Sequence, residues 1–195
     1  MVQSKDSAID DIIMFFTGII SSRARLVGKY GPHMMFAYAC TELFNKPTTL
    51  CYFILGAIAN VLINFAIKIG VKQPRPMTTE QARMFSLSTK RYADLGISDG
   101  MLSANIYGMP SGHLQTAFYI ITYLWISLKM NIRDASLYLC VAAIILWHRI
   151  YYSYHTVMQT IVGGIVGSMV AVGALYLANA PIVGRLRARK EDSAK

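Results

Sequence analysis

The chain has 195 residues, 54% of them hydrophobic and only 15% charged. A soluble domain carries about 25% charged residues to keep its surface wet, so much of this surface is expected to face lipid. A net charge of +9 fits nucleic acid, anionic headgroups or an anionic substrate. Nucleic acid fits worst, because the basic residues lie in short clusters between apolar runs.

A membrane-spanning helix needs about 20 mostly apolar residues to cross a core of about 30 Å. Two segments come first and fall short of that. Ile9 to Ser22 is apolar but brief, and Asp10 and Asp11 at its start argue against a secretory signal peptide. Gly31 to Phe44 is interrupted by Glu42. Four stronger runs follow: Pro47 to Ile67, His113 to Leu128 with its flanks, Ala135 to Trp147 extending to Tyr152, and Thr156 to Gly184. The pattern predicts an all-α, multi-pass transmembrane helical bundle of about six helices, four of them full spans. It forms a single domain over 1–184, followed by a basic tail over 185–195. A long polar stretch, Met77 to Met109, separates the third and fourth helices and carries Arg83, Lys90, Arg91, Asp94 and Asp99. Cys40, Cys51 and Cys140 fall in apolar segments at no metal-binding spacing and read as buried, reduced fillers. The small residues Gly163, Gly164, Gly167 and Ser168 read as a close helix crossing.

Three clusters carry chemistry. Asn60, Asn64 and Lys68 are four apart and share one helical face, which in a bilayer turns inward. They serve either a site or simple helix association, with Lys68 reaching for the interface. Pro74 and Pro76 stop that helix around Arg75. The next begins with Met109-Pro110-Ser111-Gly112-His113, with proline suited to its first turn. Unpaired N–H groups there form a phosphate seat, although a helix cap with an interfacial histidine would look the same. Finally, Arg149 and His155 would stand about 240° apart on one continuous helix. Sharing a ligand requires a break between them, at Tyr151 to Tyr154. Gln159 lies one turn after His155 and can hold its imidazole; the alternative is a capping histidine and an arginine among headgroups. Topology brings all three clusters to one membrane surface. There, two histidines, two arginines, a lysine and a helix N-terminus suit phosphoryl transfer.

These motifs resemble those of the type 2 phosphatidic acid phosphatase superfamily. Lys68 through Arg75-Pro76 matches its lysine, six residues, Arg-Pro motif, and Pro110 to His113 matches Pro-Ser-Gly-His. His148-Arg149, His155 and Gln159 match its third motif, with His148 in place of serine and Gln159 in place of aspartate. Within it, "ANVLINFAIK", "YGMPSGHLQ" and "YHTVMQTIVGGIVG" are similar to dolichyl diphosphate phosphatases.

The resemblance implies phosphate ligands at Lys68, Arg75, Ser111, Gly112 and Arg149, a general acid at His113, a nucleophile at His155 and an orienting group at Gln159. It implies a metal-free hydrolysis with no cofactor, through a phosphohistidine. The substrate would be a lipid diphosphate or phosphate, the partner the bilayer, and the role recycling of a glycosylation lipid carrier. Two other functions fit the same residues: a phosphatidate or other lipid monophosphate phosphatase, and an inactive lipid-phosphate binder. The placing of Lys5, Lys46, Lys129, Arg133 and the tail basics opposite the site favours a lumenal or external site; if the chain is eukaryotic, the membrane expected is that of the endoplasmic reticulum.

Overall fold

The computed structural model describes residues 3–77 and 106–179, with side chains from Ser22 onward. The polar stretch bearing Arg83, Lys90, Arg91, Asp94 and Asp99 therefore lies outside the described residues, as does the tail 185–195. Five helices are described: α1 (Gln3–Leu43), α2 (Pro47–Val71), α3 (Gly112–Leu128), α4 (Ile132–Tyr151) and α5 (Val157–Ala178). Beyond these helices, an isolated antiparallel bridge joins Pro74 to Tyr107.

Two expectations change. Ile9 to Ser22 and Gly31 to Phe44 belong to one helix of 41 residues, not two, because α1 runs straight through Pro32. Lys5 and Lys46 thus sit at opposite ends of that helix, and Lys5 leaves the group placed opposite the site. Among the described residues two helices, α2 and α5, are long and apolar enough to cross a membrane, where four full spans were expected. The other two fall short for physical reasons: α3 has only 17 residues, and α4 carries Arg133 and Asp134 at one end and His148 and Arg149 at the other.

α3 is the central helix. Leu114, Ala117, Tyr119, Ile120, Tyr123 and Leu124 are all buried along it. Its tyrosines satisfy their hydroxyls on α2 backbone, Tyr119 donating to the Phe53 carbonyl at 2.6 Å and Tyr123 to that of Thr49 at 2.7 Å. Such pairing is needed where no water reaches. The small-residue stripe of α5 packs against α3 as expected. A Cβ at Gly163 would come within 2.6 Å of the Ser111 carbonyl oxygen, and one at Gly167 would collide with the Gln115 carbonyl. Ser168 Oγ accepts from Thr122 at 2.9 Å across the same seam.

The outer faces are apolar. Ile54, Leu55, Ile58, Val61 and Leu62 on α2 and Ile161, Ile165, Met169 and Val172 on α5 are exposed. Cys51 and Cys140 share such outer faces and Cys40 is half-buried, so the cysteines are free but not the buried fillers expected. An outward face in lipid is as apolar as a core, which makes the two indistinguishable by composition. At the end of α4 nearest the clusters, exposed Trp147 and Tyr151 stack with centroids 5.0 Å apart, as aromatic residues do at a membrane interface.

Candidate active site

The inward face of α2 is real. Asn60 and Lys68 are buried and Asn64 half-buried, while Val61, Leu62 and Ile63 face out. Lys68 is only 5% exposed, so it does not reach for the interface. The asparagines have a specific task. Asn64 Nδ2 donates to Gln115 Oε1 at 2.7 Å and to the Pro110 carbonyl at 3.3 Å. Gln115 Nε2 in turn donates to the Asn60 side chain at 2.9 Å and to its carbonyl at 2.8 Å. This network ties α2 to the turn before α3. Gln115 was not singled out in the sequence, although a glutamine one turn after Ser111 in an apolar run was the available signal.

α3 starts at Gly112, with Ser111 as its N-cap. Pro110 therefore stands in the loop before the cap and not in the first turn as expected. Ser111 makes no capping bond: its Oγ is buried without a partner. Its N–H donates to the Gln159 carbonyl at 2.9 Å, which fixes the α3 N-terminus to the first turn of α5.

The break between Arg149 and His155 lies where the spacing requires it. α4 ends at Tyr151, Ser153 adopts a left-handed φ of 55°, and α5 resumes at Val157. The N–H groups of Tyr154 and His155 both return to the Arg149 carbonyl, at 3.0 and 3.1 Å. Arg149 is buried, with its guanidinium 5.2 Å from the Tyr154 ring centroid. Its Nε has no partner. His148, in the place of the family's serine, is buried against Gly28 and packs on Tyr152 and Tyr154, with ring centroids at 4.8 and 5.8 Å.

His155 is 3% exposed and its two nitrogens are distinguished by their neighbours. Nδ1 lies 2.9 Å from the Gly108 carbonyl and 3.3 Å from Gln159 Oε1. A carbonyl only accepts, so Nδ1 carries the proton. Nε2 lies 3.0 Å from Arg75 Nη1, which only donates, so Nε2 presents its lone pair. Arg75 Nη1 also donates to the Tyr154 carbonyl at 3.1 Å. Burial, then the charges of Arg75, Lys68 and Arg149, push the imidazole down to about 2, which keeps it neutral. Burial also lowers Arg75, to about 10.

Gln159 is fully buried and joins three segments. Its Nε2 donates to Gln73 Oε1 at 3.1 Å and to the Pro74 carbonyl at 3.0 Å. Its Oε1 also accepts from the Thr156 N–H at 3.2 Å, while its own N–H donates to Thr156 Oγ1 at 3.2 Å, a reciprocal capping box. The Gln73 carbonyl accepts from the Gly108 N–H at 2.8 Å, closing the ring of loops. Gly108 was missed by sequence reasoning, since a backbone carbonyl leaves no residue-type signal.

His113, half-buried at the start of α3, donates through Nε2 to the Lys29 carbonyl at 3.1 Å, leaving Nδ1 to exchange a proton. Gly112 beside it packs near Asn64. The residues named from sequence thus stand in two linked groups: Lys68, Arg75, Arg149, His155 and Gln159, which lie within electrostatic or hydrogen-bond reach of one another, and Ser111 to His113 at the adjoining helix start. Among the described residues no three His, Cys, Asp or Glu cluster as a metal site.

The PAP2 superfamily matches residues 49–182, more than half of the chain. The chain belongs to that superfamily. Three relatives illustrate the similarity. Dolichyldiphosphatase of Saccharomyces cerevisiae is 31% identical over 159 residues, covering 77% of this chain and 58% of the relative. Dolichyldiphosphatase 1 of Homo sapiens is 25% identical, covering 67% and 53%. Lipid phosphate phosphatase gamma of Arabidopsis thaliana is 24% identical, covering 70% and 57%. The chain spans about half the length of the curated relatives it matches. No solved structure matches it.

Proposed function

We propose that this membrane protein is a lipid phosphatase that cleaves a polyisoprenyl (dolichyl-type) diphosphate to the monophosphate and inorganic phosphate. The observation that carries the reading is the state of His155: a buried, neutral imidazole whose Nε2 lone pair faces a cluster of Arg75, Lys68 and Arg149. A histidine held this way is a nucleophile for an anionic centre, and two buried donors without partners, Ser111 Oγ and Arg149 Nε, await oxygen acceptors beside it.

The terminal phosphoryl group binds against Lys68, Arg75, Arg149, Ser111 and the Gly112 N–H. Arg75 exchanges its bond to Nε2 for a phosphate oxygen, which frees the lone pair. His113 enters this step as the imidazolium, with its Nε2 proton on the Lys29 carbonyl and a second proton on Nδ1. Nε2 of His155 then bonds to phosphorus as the bridging P–O bond breaks, and the leaving oxygen takes the Nδ1 proton of His113. The His155 Nδ1 proton stays shared with the Gly108 and Gln159 oxygens, so the imidazolium of the phosphohistidine is held by hydrogen bonds. His113 next takes a proton from water, water oxygen bonds to phosphorus, the N–P bond breaks and phosphate leaves. The cations balance charge on the non-bridging oxygens, the main demand of phosphoryl transfer. The protein supplies that charge without a metal.

The two dolichyldiphosphatase relatives support the diphosphate. The Arabidopsis relative favours a second reading, a lipid monophosphate phosphatase. Basic residues at the Lys46, Lys129 and Arg133 end support a site facing away from the cytosol, which in a eukaryote would be the lumenal side of the endoplasmic reticulum membrane. The test is phosphate release by the purified protein from a polyisoprenyl diphosphate and from phosphatidate in matched detergent. The diphosphate should have the higher kcat/KM; a higher value for phosphatidate selects the second reading. His155→Ala should release nothing and trap no phosphoenzyme, and hydrolysis at the normal rate by that variant removes the nucleophile assignment.

A further inference from the structure

α1 lies outside the stretch matched by the PAP2 superfamily, yet one of its turns touches two site residues. Arg149 Nη2 donates to the Gly28 carbonyl at 3.3 Å, and His113 Nε2 to the Lys29 carbonyl at 3.1 Å. In an α-helix the carbonyl of residue 28 accepts from the N–H of residue 32. Residue 32 is a proline inside α1, with no N–H to give and a ring that crowds that carbonyl. The Gly28 oxygen therefore lacks its usual helical donor, and the Arg149 guanidinium takes that place. Gly28 also makes the approach possible: a Cβ there would collide with the His148 ring. With Nη2 occupied on α1, Nε is the buried Arg149 donor that has no partner.

We propose that the Gly28–Pro32 turn is a positioning device for the phosphate site, in which the proline releases a backbone carbonyl that anchors Arg149 and leaves Nε to the phosphate. This rests on the phosphatase reading above. Gly28 and Pro32 touch no substrate; they are positioning residues that act through Arg149 and, at the next carbonyl, His113.

The test is Pro32→Ala in the full chain, read by inorganic phosphate binding and by thermal unfolding in the same detergent. Alanine restores an N–H that reclaims the Gly28 carbonyl. Phosphate binding should weaken about tenfold, the scale of one hydrogen bond to a charged group. The unfolding temperature should stay level or rise, because alanine suits a helix interior far better than proline. That opposite response is what a purely structural role would not give. Added to Arg149→Lys, the proline change should weaken binding little further, because its effect passes through Arg149. Unchanged phosphate affinity in Pro32→Ala, or full additivity in the pair, overturns the inference and leaves the phosphatase reading standing. A Pro32→Ala protein that loses its fold also overturns it, since the proline would then shape the bundle and not the arginine. An unmutated protein that binds no phosphate removes the phosphate-site reading and this inference together.

Discussion

Gln159→Met separates two accounts of how His155, the proposed nucleophile, is oriented. Methionine keeps the volume and removes every side-chain hydrogen bond of Gln159. In serine proteases, replacing the orienting carboxylate by an amide costs ~10⁴ in rate because the tautomer is wrong. The arrangement here differs. The Gly108 carbonyl lies 2.9 Å from His155 Nδ1 and Gln159 Oε1 lies 3.3 Å from it, so the backbone alone still demands the proton on Nδ1. The variant then loses one neutral hydrogen bond on the histidine, about 0.5–1.5 kcal/mol, or about 2- to 13-fold in kcat. Stability suffers more. The Pro74 carbonyl and the Thr156 N–H lose a partner, at about 1–3 kcal/mol each where buried, or about 2–6 kcal/mol together. Single-turnover phosphate release on the folded fraction gives the first quantity and thermal unfolding the second. A 10⁴-fold fall in rate with the fold retained would show that Gln159 alone sets the tautomer, and the role given to Gly108 would be wrong.

Three further outcomes follow from the same geometry. His113→Ala should lose about 10²–10⁴ in turnover with an ordinary lipid leaving group, yet still form phosphoenzyme from a substrate with a good one; no phosphoenzyme at all would give His113 a different role. Stability should depend on pH through His155, whose imidazole is pushed down to about 2 in the fold against about 6.5 unfolded. Above the unfolded value neither state is protonated and the residue is silent; below it the unfolded chain gains a proton the fold excludes. The ligand-free protein thus loses up to about 1.4 kcal/mol per pH unit through that window, and His155→Asn should reduce the slope of unfolding free energy against pH by one proton. Equal slopes in both proteins would contradict a buried neutral His155. Activity should also survive EDTA, since Lys68, Arg75 and Arg149 supply the positive charge; loss on chelation that a divalent ion restores would replace this scheme with a metal-assisted one.

What could be read from the sequence was what obeys a period or a motif. The inward face of Asn60, Asn64 and Lys68 follows from their spacing, and the break at Tyr151 to Tyr154 follows from requiring Arg149 and His155 to meet. The close crossing on Gly163 and Gly167 follows from their size. The errors also have physical causes. Glu42 looks like an interruption, but it is held by the Tyr138 hydroxyl at 2.7 Å, and the helix also continues through Pro32. Gly28, Lys29 and Gly108 act through backbone oxygens, which every residue type carries, so no side-chain pattern could reveal them.

The crossing of α3 and α5 also bears on how a bilayer lipid reaches the site. If the substrate is the lipid proposed above, a headgroup drawn into the cluster leaves its tail among the helices, so some seam of the bundle has to part. α3 and α5 meet backbone to backbone at Gly163 and Gly167, with no side chain there to swing aside. They are further tied by the Ser111 N–H on the Gln159 carbonyl. The helix that begins at Ser111 and the one that carries Gln159 are therefore closely joined, and under the proposed lipid phosphatase reading a tail would enter at the seams that side chains close rather than at this one.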